Sequence, residues 1–131
     1  MATPLAESTV STPLGPYSPA RRAGDFVILS GQLGTVPGAP TPTLVEGGAA
    51  EQLRQALENA AVLLGENGAT MDQVVKGTLF LMDVADFAAC NEVWTAAFEV
   101  PRPTRSTIQI AGIPMPGALA EVELWAYAPL S

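Results

Sequence analysis

One amphipathic segment near the middle of the chain constrains the fold more than any other feature. Apolar residues recur there at helical spacing: Ala49, Leu53, Leu57, Ala60 and Leu64. Asn67 and Gly68 follow, a pair typical of a helix end because glycine readily adopts the left-handed conformation. A helix with one apolar face packs that face against another element. The rest of the chain is therefore expected to supply a sheet beneath this helix.

Segments that favour β-strands lie on both sides of the helix. They are 26–30, 74–82, about 105–111 and 121 to about 128. Asp83 can cap a second helix that runs to about Phe98. Residues up to about Ser11 are expected to form a loose arm or an edge strand. The order β, β, α, β, α, β, β predicts an α+β fold in which two helices cover one face of a mixed sheet.

Alternation along the late strands predicts two different faces of this sheet, since successive side chains of a strand point to opposite sides. One set is mainly apolar and is expected to pack beneath the helices: Val75, Leu79, Leu81, Ser106, Ile108, Ile110, Val122, Leu124 and Ala126. The other set mixes polar and aromatic residues: Lys76, Thr78, Phe80, Met82, Arg105, Thr107, Gln109, Glu121, Glu123, Trp125 and Tyr127. We expect this second face to pack against neighbouring subunits, with Arg105 and Glu121 near the subunit boundary.

Composition excludes several classes of function. The length of 131 residues predicts one domain over 1–131, and 48% hydrophobic beside 15% charged residues favours self-association. A net charge of -7 repels phosphate backbones, so nucleic-acid binding is not expected. The chain has no histidine, which excludes Ser-His-Asp and Cys-His catalysis and imidazole metal sites. We expect no metal.

Cysteine usage and the N-terminus favour a cytoplasmic protein. The single cysteine, Cys90, cannot form an internal disulfide, and it is expected to be a small packing residue. Residues 1–4 lack the basic region and following apolar run of a secretory signal. No apolar stretch is long enough to span a bilayer, so no membrane partner is expected.

Arg105 is the strongest candidate for ligand binding. Its planar fork of donors can hold a carboxylate through two parallel hydrogen bonds, although charge alone favours an ion pair with Glu121 or Glu123. Glu121 begins a strand beside a Pro/Gly turn, where a carboxylate could orient a water or exchange a proton. The alternative is a solvated strand end, and Glu123 is a rival for either role.

Further candidates lie on loops and on the second helix. Tyr17, between Pro16 and Ser18, could position a ligand or anchor its loop. Ser30 and Gly31 could present a hydroxyl and backbone groups to a small ligand, or form a bulge. Asn91 stands among large apolar residues, where tethering a loop is favoured over contacting substrate. Lys76, the only lysine, is expected to face solvent or an interface.

Four short stretches, in order and spacing, resemble the RidA/YjgF family of imine and enamine deaminases: Gly15-Pro16-Tyr17-Ser18-Pro19, Ser30-Gly31-Gln32, Pro103-Thr104-Arg105-Ser106 and Gly117-Ala118-Leu119-Ala120-Glu121-Val122-Glu123. The resemblance covers nearly the whole chain. It implies a chorismate-mutase-like domain that forms a homotrimer, with active sites in clefts between subunits. The implied substrates are short 2-imino or 2-enamino acids such as 2-iminobutanoate and 2-iminopropanoate, the latter formed from 2-aminoacrylate. They are hydrolysed to 2-oxo acids and ammonia, and no cofactor is implied.

The resemblance also implies roles for individual residues. Arg105 would bind the substrate carboxylate, Glu121 would position the attacking water and Tyr17 would orient the ligand. Groups near Gly31 and Thr107 would hold the imine end, and Ser30 and Asn91 would be further contacts: these seven residues form the predicted site.

Two departures from the family pattern affect the expected substrate range. Thr107 stands where the best-known members have cysteine, and the stretch 114–121 is about one residue longer. Two other functions stay open. One is a non-catalytic trimeric protein that binds metabolites or acts as a chaperone, and the other is a ribonuclease or translation inhibitor, which the acidic charge disfavours.

Overall fold

Five strands form a single mixed sheet in the computed structural model, which describes residues 13–130. The strands are β1 Ala20–Ala23, β2 Phe26–Leu29, β3 Val74–Leu81, β4 Thr104–Gln109 and β5 Ala120–Tyr127. The helices are α1 Ala49–Glu66 and α2 Phe87–Ala97, and short 3-10 turns span Met71–Gln73 and Val84–Asp86. The predicted α+β class is confirmed.

The strand order across the sheet is β1-β2-β5-β3-β4. Only β3 and β4 pair in parallel, and the connection between them contains α2; all other neighbours are antiparallel. Helix α1 packs on β5 and β2 and also against α2. Its buried face carries the predicted apolar repeat, and Leu53, Ala60 and Leu64 are fully buried there. Both helices share one core with the sheet, and no helix within residues 13–130 covers the other face, which we call the open face.

Helix boundaries agree with their sequence signals. Helix α1 ends at Glu66, and Gly68 follows in the left-handed region at φ 80°. The Asp83 side chain accepts a hydrogen bond from Ala85 N at 2.8 Å, as a helix cap does, but it caps the 3-10 turn that precedes α2. No helix among residues 13–130 is long and apolar enough to cross a membrane.

Strand β1 was not predicted from the sequence. The stretch up to Ser11 lies outside the described residues, and the strand that precedes β2 is Ala20–Ala23, which has no apolar alternation. Its Arg22 donates to Ala128 O at 2.8 Å and to Asn67 O at 3.0 Å. These bonds tie β1 to the ends of β5 and α1, so tertiary contacts rather than local pattern define this strand.

The predicted face of Val75 is wrong because β3 contains a bulge. Val74 pairs with Ala126 and Lys76 pairs with Trp125, so one residue is extra between them. An extra residue reverses the alternation on one side of a bulge. Val74 is consequently in the core, whereas Val75 is 44% exposed.

The predicted faces of β4 are also wrong. The parallel register pairs Gly77 with Arg105 and Leu79 with Thr107, which places both β4 side chains on the helix-covered face. Ser106 and Ile108 lie on the open face instead, and Ile108 is 45% exposed. The prediction placed the apolar side chains of β4 beneath the helices. However, β4 is an edge strand, and on its core side Arg105 contacts the aromatic side chains of α2.

Candidate active site

A cavity of about 220 Å³ opens between the loops around β2 and the start of β5. Its wall includes three residues of the predicted site, Tyr17, Gly31 and Glu121. Loop residues complete it, among them Leu14, Pro40, Pro42, Pro114 and Met115. Prolines restrict the backbone of these loops, so the wall is stiffer than an ordinary loop cluster. Three of the seven predicted site residues thus line one cavity.

Glu121 lies against the backbone of Gly31. A Cβ added at residue 31 would be 2.6 Å from Glu121 Oε1 and 2.7 Å from its Cδ, so only glycine leaves room for this carboxyl. A two-bond bridge fixes the arrangement: Gln32 N donates to Val122 O at 2.7 Å, and Val122 N donates to Gln32 O at 3.0 Å.

Burial raises the pKa of the Glu121 carboxyl above its ordinary value, and the nearby Glu123 raises it further. Glu123 lies on the same open face, two residues along β5, where it pairs with Thr78. Unlike Glu121, it does not line the cavity. A carboxyl of raised pKa accepts and returns protons more readily near neutral pH than an ordinary one. This geometry favours Glu121 over its rival.

Tyr17 and Ser30 are joined through the loop between them. The Ser30 hydroxyl donates to Ser18 O at 2.6 Å, and Ser30 N donates to Pro19 O at 2.9 Å. The Tyr17 hydroxyl accepts from Leu14 N at 3.2 Å, and the side chain is 49% exposed. Ser30 thus holds the loop that carries Tyr17, and the Tyr17 hydroxyl keeps its own proton available for donation.

Two buried polar residues of α1 hold the cavity walls, and neither was predicted from the sequence. Gln52 donates to Gly117 O at 3.1 Å and accepts from Leu119 N at 2.7 Å, which fixes the loop before β5. Asn59 donates to Thr35 O at 2.9 Å, in the loop that forms the opposite wall. A signal was present, because both residues fall among the apolar positions of the predicted helix. A buried amide there needs partners on another segment.

Arg105 lies away from this cavity, on the helix-covered side of β4. Its Nη2 donates to Asn91 Oδ1 at 2.6 Å. Its guanidinium carbon is 5.0 Å from the Trp94 ring centre and 5.6 Å from that of Phe87, within the range of cation–π attraction. Burial lowers the pKa of Arg105, although an arginine stays charged at neutral pH. Thr107 points to the same side, two residues further along.

Within a single chain, the predicted alternatives for Arg105 and Asn91 are wrong. Glu121 and Glu123 lie on the opposite face of the sheet, and within residues 13–130 Arg105 makes no ion pair. Asn91 binds this arginine rather than a loop. Since a neutral amide satisfies one donor and leaves the charge uncompensated, the guanidinium keeps the capacity to bind an anion.

Three other basic side chains, Arg54, Arg102 and Lys76, contact neighbouring residues. Arg54 pairs with Glu51, and Arg102 Nε donates to Phe98 O at 3.1 Å. Lys76 is exposed and lies 5.5 Å from the Trp125 ring centre, as expected of a surface residue.

Cys90 is fully buried, which confirms its packing role, and burial followed by the charge of Asp86 raises the pKa of its thiol. Among residues 13–130 no three His, Cys, Asp or Glu side chains cluster to hold a metal ion.

The predicted site residues therefore form two groups on opposite faces of the sheet. The cavity group is Tyr17, Ser30, Gly31 and Glu121, and the arginine group is Asn91, Arg105 and Thr107. The prediction that Arg105 and Glu121 share a face is wrong for a single chain.

The sequence model of the Endoribonuclease L-PSP family matches residues 8–128. The chain belongs to the RidA/YjgF family. A RidA-family relative, Reactive Intermediate Deaminase A, chloroplastic, of Arabidopsis thaliana, is 42% identical over 110 residues, which are 84% of this chain and 57% of that protein. The chain thus spans little more than half the length of the plant protein. The 2-iminobutanoate/2-iminopropanoate deaminase of Dermatophagoides farinae is 37% identical over 94% of this chain and 91% of its own.

Solved structures show that this RidA/YjgF chain has the fold of its family. RidA from an Antarctic Psychrobacter species superposes with a TM-score of 0.85 at 35% identity, over 94% of this chain and 97% of that one. Yeast Mmf1 gives a TM-score of 0.85 at 30% identity, over 96% of this chain and 98% of its own. The predicted resemblance is confirmed.

Proposed function

We propose that this protein hydrolyses short 2-imino acids, such as 2-iminobutanoate and 2-iminopropanoate, to 2-oxo acids and ammonia. The observation that carries the proposal is a small cavity with a raised-pKa carboxyl, together with a separate arginine that makes no ion pair within residues 13–130. Relatives from a mite and from cattle, 37% and 38% identical to this chain, are named deaminases of these two imines. An imine carbon is already electrophilic, so positioned water and a proton acceptor suffice.

The cavity fits a small acid in size but not in charge. At about 220 Å³ it is smaller than the roughly 300 Å³ at which pockets for drug-sized ligands begin. None of the described residues that line it is basic, and 1–12 and 131 contain no lysine or arginine either. A substrate carboxylate in this cavity therefore needs a cation from outside it.

We infer that Arg105 of a neighbouring copy supplies that cation. Within one chain the sheet separates Arg105 from Glu121, so a complete site requires two copies that bring opposite faces together. The open face suits such packing, because Phe26, Ile108, Trp125 and Tyr127 are each at least 38% exposed on or beside it. The proposed assembly is the homotrimer that the family resemblance implies, with one site in each cleft.

The chemistry then follows from the two groups. Arg105 binds the carboxylate, and Glu121 accepts a proton from a water as its oxygen attacks the imine carbon. The C=N bond becomes a C–N single bond in an amino alcohol, and Glu121 returns the proton to nitrogen. The hydroxyl proton is then transferred to the nitrogen, the C–N bond breaks to release ammonia, and the C=O bond forms. Tyr17 and the Gly31 backbone orient the nitrogen end, Asn91 holds Arg105, and Thr107 lines the carboxylate side.

The first experiment measures turnover. A pyridoxal-phosphate dehydratase acting on threonine produces 2-iminobutanoate in situ, and formation of 2-oxobutanoate is followed with and without this protein. We expect acceleration by the wild type and its loss in Arg105→Ala. No acceleration by the folded wild type would refute the proposal, and RNA cleavage in a parallel reaction would favour the ribonuclease alternative instead.

The second experiment tests whether two copies form one site. Arg105→Ala and Glu121→Gln are each expected to be inactive. When the two variants are unfolded together and reassembled, one copy can supply Glu121 and its neighbour Arg105, so part of the activity should return. Each variant reassembled alone is the control. No recovery in mixed assemblies whose composition is verified by native mass spectrometry would exclude a shared site.

The cytoplasm remains the proposed compartment. One relative is named as chloroplastic, so membership of the family is compatible with more than one compartment.

A further inference from the structure

Arg105 can select a carboxylate only if its guanidinium is held in one orientation. A free arginine side chain loses up to about 2 kcal/mol of rotamer freedom when it is fixed. A recognition group has to stay within about 0.5 Å of its productive geometry. The surroundings that fix Arg105 before a ligand arrives therefore contribute to affinity.

Trp94 is the buried one of the two aromatic residues that contact Arg105. It is 5% exposed and its ring centre is 5.0 Å from the Arg105 guanidinium carbon, whereas Phe87 on the same cation is 44% exposed. Trp94 also packs on Phe98, with ring centres 4.6 Å apart. An indole held on several sides moves less than an exposed phenyl ring. Trp94 consequently provides the rigid surface for the guanidinium.

Gly77 determines where this indole lies. A Cβ added at residue 77 would be 2.7 Å from Trp94 Cη2 and 3.1 Å from Leu124 Cδ2. Gly77 is also the register partner of Arg105 in the parallel pair β3–β4. The indole that packs over Gly77 therefore lies directly beside the arginine. Glycine inside a strand weakens it and often marks a close approach. Here the absent side chain makes room for Trp94.

We propose that Gly77 and Trp94 are positioning residues that orient Arg105 for carboxylate binding. The missing Cβ seats the indole, the indole supports one side of the guanidinium, and Asn91 fixes one Nη, which leaves the remaining donors for the ligand. The inference rests on the proposed function for the identity of that ligand, a 2-oxo or 2-imino acid. Both residues act through Arg105 and neither needs to touch the substrate.

Calorimetric binding of two matched probes tests this role. 2-Oxobutanoate carries the carboxylate, and 2-oxobutanamide replaces it with a neutral amide. We expect Gly77→Ala to weaken binding of the acid about tenfold, which lies between the values for an exposed and a desolvated cation–π contact, and to leave binding of the amide unchanged. Gly65→Ala is the matched control, because a Cβ there meets nothing within 4 Å.

A double variant tests the coupling between the two residues. Phenylalanine at position 94 lacks the distal ring atoms that an added Cβ would meet. In a Trp94→Phe background, Gly77→Ala should therefore change the affinity for 2-oxobutanoate by less than about twofold. Should Gly77→Ala fail to fold, Trp94→Leu and Trp94→Phe are compared instead, and the acid should bind more weakly to the leucine variant, which has no ring.

The outcomes separate this inference from the proposed function. Equal losses for acid and amide, an undiminished effect of Gly77→Ala in the Trp94→Phe background, or no binding of 2-oxobutanoate by the wild type would each overturn the positioning role. Acid-selective losses in a protein that does not hydrolyse imines would support the role and refute the proposed function. Imine hydrolysis by the wild type without acid-selective losses in the variants would support the proposed function and refute the positioning role.

Discussion

Replacing Gly31 by alanine should displace the Glu121 carboxyl and leave the fold almost unchanged. The new Cβ would lie 2.6 Å from Oε1, 2.7 Å from Cδ and 3.0 Å from Cγ of Glu121, so the carboxyl has to move. The group that moves is the end of a flexible side chain rather than backbone, and residue 31 has no positive φ. We expect the free energy of unfolding to fall by less than about 1 kcal/mol.

The expected effect on catalysis is much larger. A positioned acid or base contributes about 10²- to 10⁴-fold to the rate of a proton-transfer step. Loss of position should therefore lower kcat about 100-fold, which corresponds to about 2.7 kcal/mol of transition-state stabilisation. KM should change little, since the carboxylate of the substrate is bound by Arg105, which belongs to the other half of the proposed site.

The assay is 2-oxobutanoate formation from 2-iminobutanoate, with urea unfolding measured on the same preparations. Gly112→Ala is the matched control, because a Cβ at residue 112 has no heavy atom within 4 Å. In a Glu121→Gln background, Gly31→Ala should add no further loss, since the group it displaces is already inactive. Full activity of Gly31→Ala, or an equal proportional loss in both backgrounds, would refute the reasoning.

Three further predictions concern stability. The raised pKa of Glu121 means that the native state binds the carboxyl proton more tightly than the unfolded chain does. Its contribution to stability is therefore full below the ordinary pKa of 4.5 and is lost as pH rises through the folded pKa. Glu121→Gln should flatten this decline of unfolding free energy with pH in urea titrations, and an unchanged pH dependence would contradict the prediction. Gln52→Leu should cost about 1–3 kcal/mol, because Leu119 N–H and Gly117 O lose their partner; a wild-type urea midpoint would exclude this. Gly65→Ala should add about 0.5–1 kcal/mol, since a Cβ in α1 meets nothing there, and thermal unfolding would show an unchanged midpoint if this is wrong.

The parts of the fold that the sequence predicts are those where local pattern and tertiary environment agree. Helix α1 has both an apolar repeat and a terminal Asn67-Gly68, and β5 alternates between buried and half-exposed residues from Glu121 onward. Gly31 was singled out because it follows a buried strand, and Glu121 because it begins a strand beside a Pro/Gly turn. In each case a single residue type has few alternatives that satisfy the backbone.

The parts that failed depend on partners far away in sequence. The faces of β4 are set by pairing with Gly77 and by two aromatic residues of α2, neither of which alters the local alternation. One bulge residue, Val75, reverses part of β3 without a glycine to mark it. The Ala20–Ala23 strand depends on the hydrogen bonds of Arg22 to distant carbonyl groups. Such features become visible only when the chain is assembled.

The separation of Arg105 from Glu121 has an electrostatic consequence for the proposed enzyme. Unit charges 4 Å apart attract by about 4 kcal/mol at the effective dielectric of a protein surface. An ion pair between these two side chains within one chain would occupy the fork and lower the pKa of the carboxyl. Held apart, Arg105 makes no ion pair with any described residue, and Glu121 keeps its raised pKa.

In an assembled site the substrate would complete this arrangement. Its carboxylate neutralises the Arg105 charge, so the arginine no longer favours the ionised form of Glu121, and the proton affinity of that carboxyl rises as the imine arrives. Binding and proton acceptance are thereby coupled through charge alone. The mixed-variant experiment bears on this directly, because activity regained from Arg105→Ala and Glu121→Gln copies requires the two charges to meet across a subunit boundary.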